Sequence, residues 1–199
     1  MFLSQDPSEA ARFLNNPFLL ENVKQSCQVL VCVLLYLSGI RSKKVHKFLF
    51  SKERKEETLR KFFPGWPLGS SPQFTLYNSP EARWARTCKN HYDYLVSFLE
   101  ACLEEHSFRF GREHPLSELL GFFRMALYEM AFRNLVSLPD VKGLKIVLPR
   151  KNLPPDCRRK DVVEGYRKWY RKRIGDPISE YVGTKRDVPE FLLGKEPLA

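Results

Sequence analysis

The chain has 199 residues, enough for one domain with a sizeable core, and its 43% apolar and 13% aromatic content excludes a chain that stays unfolded. Its 33 Lys and Arg against 23 Asp and Glu leave a formal charge of +10, which points to a polyanionic partner, with phosphate ahead of an acidic protein. Cys27, Cys32, Cys88, Cys102 and Cys157 form no CxxC pair, and His46, His91, His106 and His114 lack ligand spacing, so free thiols are expected, with no metal and no cofactor.

Residues 1–10 lack the basic start and apolar middle of a secretory signal, so the expected location is intracellular. Asp6-Pro7-Ser8 opens a short helix through Leu14, which Asn15-Asn16-Pro17 closes. A second helix is predicted from about Phe18 to Leu37, with Val23, Cys27, Leu30 and Leu34 on one stripe. Its apolar run, Val29 to Leu37, falls short of the ~20 residues of a membrane span, so a buried core helix and no membrane contact are expected.

Arg41 to Lys61 carries nine Lys or Arg and reads as a locally helical, solvated cationic segment, with Lys43, Lys44 and Lys47 as phosphate contacts. The Pro- and Gly-rich stretch 64–72 reads as a loop. Ser79-Pro80-Glu81 then starts a helix predicted to run unbroken to Phe110, where Gly111 supplies a left-handed stop. On that helix Trp84, Cys88, Leu95, Cys102 and Arg109 share a narrow arc with Glu105 at its edge, and Glu105 and Arg109 are spaced for a partly buried ion pair.

A further helix is predicted over Ser117 to Asn134, a loop with one short strand at Lys145 to Leu148 over 138–155, and a last helix from about Arg159 to Ile174. On the last helix Tyr166, Trp169 and Tyr170 share a face, most simply a core face, while cations cover the rest. Between Arg150 and Arg186 lie 12 basic and 5 acidic residues, and Arg158, Arg159, Lys160, Arg167, Lys168, Arg171, Lys172 and Arg173 are the expected DNA contacts. The expected architecture is all-α: a compact single-domain helical bundle over 1–199, with a basic C-terminal region over 150–199.

No glycine-rich phosphate loop and no GxSxG nucleophile occurs. The densest polar stretch is Glu105 to His114, at the end of the long helix. Two readings of it stand side by side: Arg109 locks the helix end onto carbonyls and Glu105, or the stretch lines a ligand or DNA site.

Phe2-Leu3-Ser4-Gln5-Asp6-Pro7, Ser8 to Asn16, Trp84-Ala85-Arg86, Asn90, Tyr94-Leu95, Glu105 to His114, Tyr166-Arg167-Lys168-Trp169-Tyr170, Lys185-Arg186 and Pro189-Glu190-Phe191 occur in the order seen in a family of phage and large DNA virus proteins, which the chain resembles. That family is in turn distantly similar to the pyrimidine-dimer DNA glycosylases of the phage endonuclease V type. The resemblance implies a helical bundle of that type, duplex DNA as partner, attack on the sugar by an amino-terminal amine, and one early-helix glutamate assisting bond cleavage and β-elimination. Through Leu14 to Leu19, however, the glutamate's position falls on Gln25, the histidine's on Phe18 and the aspartate's on Asn15. An amide carries no charge to stabilise a cationic transition state and abstracts no proton. Phe2 is also expected to protect Met1 from removal.

The resemblance therefore implies a DNA-binding scaffold with impaired catalysis, its remnant pocket lined by Gln25, Gln28, Asn90, Glu105, Arg109 and His114. Two alternatives stay open. One is an active glycosylase or lyase with Glu105 or another acid as substitute. The other is a virion or assembly protein that turns its basic faces to encapsidated DNA or acidic partners.

Overall fold

The computed structural model describes residues 2–42, 76–132 and 153–193, together with 44, 57, 61, 138, 139 and 149. Seven α-helices occur among the described residues: α1 (Pro7–Arg12), α2 (Asn16–Leu37), α3 (Pro80–Ala85), α4 (Lys89–Phe110), α5 (Glu118–Phe132), α6 (Val162–Arg173) and α7 (Pro177–Tyr181). Short 3-10 turns cover Pro115–Ser117, Pro155–Cys157 and Glu190–Leu192. The fold is all-α, and no strand occurs among the described residues. The strand expected at Lys145 to Leu148 and the loop at 64–72 lie outside them, as does most of the cationic segment 41–61.

Local chemistry sets the helix starts. Asp6 accepts from the Glu9 N–H at 2.7 Å, Asn15 from Phe18 at 3.1 Å, Ser79 from Ala82 at 3.1 Å and Asp161 from Val163 at 2.8 Å. Asn15-Asn16-Pro17 thus serves two purposes: it ends α1 and caps α2, which begins two residues earlier than its hydrophobic pattern announced.

The helix expected from Pro80 to Phe110 is two helices. Arg86-Thr87-Cys88 interrupts it, with Cys88 in extended geometry at φ -158°. Cys88 offers no side-chain cap, and the first amide of α4, on Lys89, instead donates to the Pro139 carbonyl at 2.9 Å. Thr87 closes the break by donating from Oγ1 to the Trp84 carbonyl at 2.7 Å. At the far end Gly111 takes φ 67° and donates to the Ser107 carbonyl, the left-handed stop expected there.

Helices α2 and α4 form the centre, with α1, α3 and α5 packed around them. Val29 to Leu35 are all buried, so the back half of α2 has no solvent face. An 18-residue window of this 22-residue helix has a mean hydropathy of 1.4 and would suit a membrane crossing by length and composition, but 72% of that window is buried inside the protein. Phe2 is the aromatic hub, with ring centroids of Tyr166, Trp84, Phe98 and Tyr94 at 5.5, 5.6, 5.7 and 5.8 Å. Tyr166 and Tyr170 are fully buried and Trp169 is half-buried, so the aromatic face of α6 belongs to the core.

Candidate nucleic-acid interface and the adjoining cleft

The region expected to meet DNA is α6 with the turn before it. Arg158, Arg159 and Lys160 are exposed, and Arg158 Nε donates to the Leu153 carbonyl at 3.0 Å. Arg171, Lys172 and Arg173 are exposed on the last turn of α6, at the negative end of its dipole. Lys168 donates to the Asp156 carbonyl at 2.8 Å, and Lys172 pairs with the Asp156 carboxylate. That hydrogen bond holds the Asp156 carboxyl below its usual range and raises Lys172 above its own. Arg171 lies 3.9 Å from Glu164.

Seven cations (Arg158, Arg159, Lys160, Lys168, Arg171, Lys172 and Arg173) thus stand with four carboxylates, Asp156, Asp161, Glu164 and the Glu21 that faces Arg173, leaving a positive surplus. Arg167 does not join them. It donates from Nε to the Leu3 carbonyl at 3.1 Å and from Nη1 to Glu164 at 3.0 Å, while its guanidinium lies 5.0 Å from the Phe191 ring and 5.6 Å from the Phe13 ring. It is a clamp between α6 and the chain start rather than a phosphate contact. Lys44 is exposed, and Lys43 and Lys47 lie outside the described residues.

Beside this surface lies a cleft of about 60 Å³ lined by Phe2, Phe18, Glu21, Asn22, Gln25, Glu81, Tyr166, Trp169 and Arg173. Gln25 is among the residues that line it. Its Nε2 donates to Glu21 Oε1 at 2.8 Å, and Glu21 Oε2 lies 3.8 Å from Arg173 Nη2. The Arg173 guanidinium rests 4.5 Å from the Phe18 ring and 5.4 Å from Trp169. The Asn22 amide donates to the Phe18 carbonyl at 2.8 Å. The cleft therefore holds two carboxylates, one guanidinium and two amides against an aromatic wall.

The other expected pocket residues do not line this cleft. Gln28 and Asn90 are half-buried on α2 and in the first turn of α4. His114 is buried and accepts the Leu116 N–H at 3.1 Å, its ring edge-on to His106 at 4.9 Å. Burial lowers both imidazoles below their ordinary range, helped at His114 by the neighbouring His106 and Lys24.

Glu105 and Arg109 form the lock that their spacing allowed. Arg109 Nε donates to Glu105 Oε1 at 2.7 Å, and Nη1 and Nη2 donate to the Leu14 and Arg12 carbonyls at 2.6 and 3.1 Å. Arg186 then binds both oxygens of Glu105, at 2.9 and 2.8 Å. Burial raises the Glu105 carboxyl, but hydrogen bonds from Arg186 and Arg109 more than offset it and hold the group below its ordinary value. The Glu105 carboxylate, 4% exposed, thus accepts three guanidinium hydrogen bonds and is engaged in holding the fold.

Sequence reasoning missed Glu21, Glu81 and the role of Arg173 in the cleft. Glu21 was within reach, because it lies one helical turn before Gln25 on the same face. The five cysteines are free and buried, and burial pushes the thiols of Cys27, Cys32 and Cys102 up to about 12, which keeps them protonated. No cluster of metal-ligating side chains occurs among the described residues. Comparison with protein-family models, with curated proteins and with solved structures gave no match to this chain.

Proposed function

We propose that this protein binds duplex DNA through the exposed cations of 158–160 and the last turns of α6, and that it does so without base-excising chemistry. The observation that carries the reading is the positive surplus of that surface directly beside a cleft in which the amide of Gln25 stands at the position implied for a catalytic acid. Phosphate neutralisation by such a surface supplies affinity without sequence information. The similarity to the phage endonuclease V type supports DNA as the partner, and the described cleft supplies only a neutral donor at the key position.

The test is fluorescence anisotropy with a labelled duplex, comparing the natural chain with a variant in which Arg159, Lys160, Arg171 and Lys172 are all replaced by Ala. Binding that weakens at least tenfold supports the reading; equal binding refutes it.

A second reading is favoured by Glu21, whose carboxylate stands in the cleft in contact with Gln25. It would make the protein a glycosylase or lyase with its acid one turn earlier. Borohydride trapping on abasic and dimer-containing duplexes separates the two, since the lyase reading requires a covalent adduct.

A further inference from the structure

We infer that Arg41 and Arg86 form an anion clamp for a phosphate group, built on the ring of Tyr36 at the end of α2 opposite the cleft. The geometry starts from Gly39. With φ 81°, Gly39 donates to the Tyr36 carbonyl at 3.0 Å and Ile40 donates to the Leu35 carbonyl at 2.9 Å. This pair of bonds is a Schellman stop, and burial of Ile40 supplies its apolar contact. The stop folds the chain back, so that the exposed Arg41 places its guanidinium 5.0 Å from the centre of the Tyr36 ring.

Arg86 arrives from another part of the chain. It caps the C-terminus of α3 where the expected long helix breaks, and its guanidinium lies 4.4 Å from the Tyr36 ring and 5.3 Å from Tyr77. Its Nη1 makes one long hydrogen bond, to the Tyr77 carbonyl at 3.4 Å. Two guanidiniums that share one ring are less than about 10 Å apart. No carboxylate lies within ion-pair distance of either among the described residues. The arginines of α6, by contrast, each have such a partner: Arg167 and Arg171 on Glu164, and Arg173 on Glu21.

Like charges held this close repel, and the faces of Tyr36 and Tyr77 offset only part of that cost. A phosphate between them removes the repulsion and meets two planar donor forks suited to its oxygens. The clamp therefore takes a phosphate, and its source is either a nucleic-acid backbone or a free phosphate. Only the choice of backbone as the source rests on the DNA-binding reading above.

The experiment uses the full chain as wild type, Arg41→Ala, Arg86→Ala and the double variant, with melting temperatures recorded to establish folding. The Arg41 side chain is exposed and meets the Tyr36 ring at its edge of the fold, so Arg41→Ala tests the clamp even where Arg86→Ala lowers stability. Inorganic phosphate titrated by calorimetry is expected to bind the wild type, to bind Arg41→Ala at least threefold more weakly and to leave the double variant unbound. On a labelled duplex, the slope of log affinity against log salt is expected to flatten by about 0.9 for each phosphate that a variant no longer neutralises. Loss of phosphate binding in the variants, with no duplex binding by any of the proteins, keeps the clamp and assigns it to free phosphate, while refuting the DNA-binding reading. Phosphate titrations and duplex slopes that are the same in all four folded proteins overturn the clamp.

Discussion

Arg186 reaches Glu105 across 81 positions of sequence, and both carboxylate oxygens receive its guanidinium at 2.9 and 2.8 Å. Glu105 in turn holds Arg109, whose side chain is fully buried and whose remaining donors satisfy carbonyls between α1 and α2. The C-terminal segment, the end of α4 and the α1–α2 turn therefore meet at one carboxylate.

Replacing Glu105 by Ala leaves the Arg109 cation buried without its counter-charge, so a loss of about 3–5 kcal/mol is expected in urea denaturation. Arg186→Ala removes a partner that is 29% exposed, and the expected loss is smaller, on the order of 1–2 kcal/mol. A loss for Glu105→Ala no larger than that for Arg186→Ala contradicts this arrangement.

Acid should destabilise the fold in two stages. His106 and His114 have lowered folded-state values, so their contribution is present above the ordinary imidazole value near 6.5 and falls away as pH drops through the lowered ones. Protonation also abolishes the acceptor on His114 that receives the Leu116 N–H. Glu105, lowered in the same sense, gives a second loss below the ordinary carboxylate value near 4.5. Melting temperature measured from pH 8 to pH 2 checks this, and His114→Asn should reduce the first stage alone.

Gly165 admits no side chain. A Cβ there would stand 2.6 Å from Leu153 Cδ1 and 2.7 Å from the Cys157 carbonyl oxygen, and the second of these is backbone. Gly165→Ala is expected to cost about 1–3 kcal/mol by thermal unfolding and to shift the turn that carries Arg158 to Lys160. A neutral substitution would mean that α6 and this turn do not touch.

Restoring an acid by Gln25→Glu puts a carboxylate where Gln25 Nε2 now donates to Glu21. Like charges at this helical spacing cost about 0.2–0.5 kcal/mol, so a small loss of stability is expected above neutral pH, relieved on acidification into the carboxylate range. Borohydride is expected to trap no adduct with the natural chain.

Two helix starts were legible in the sequence because each is written in one or two residues, Asp6 before Pro7 and Ser79 before Pro80, whereas Asn15 before Pro17 was read as an end and is also the cap of α2. The break at 86–88 was not, since it contains neither proline nor glycine and depends on a carbonyl at Pro139 that is remote in sequence. The Glu105–Arg109 pair follows from spacing alone, whereas Arg186 enters only through tertiary folding. Gln28, Asn90 and His114 were expected in the pocket that the resemblance implied, yet His114 is occupied capping the turn at Leu116. The cations of α6 read as a uniform stripe, but sequence gives no hint that Arg167 turns inward onto the Leu3 carbonyl while its neighbours stay outside.

The most direct test of the DNA-binding claim is the affinity of the natural chain for a duplex of about 20 base pairs between roughly 50 and 200 mM salt. Binding to several phosphates predicts a log–log slope of about −3 or steeper, at about −0.9 per phosphate. A slope near zero, or no binding at the lowest salt, contradicts the claim.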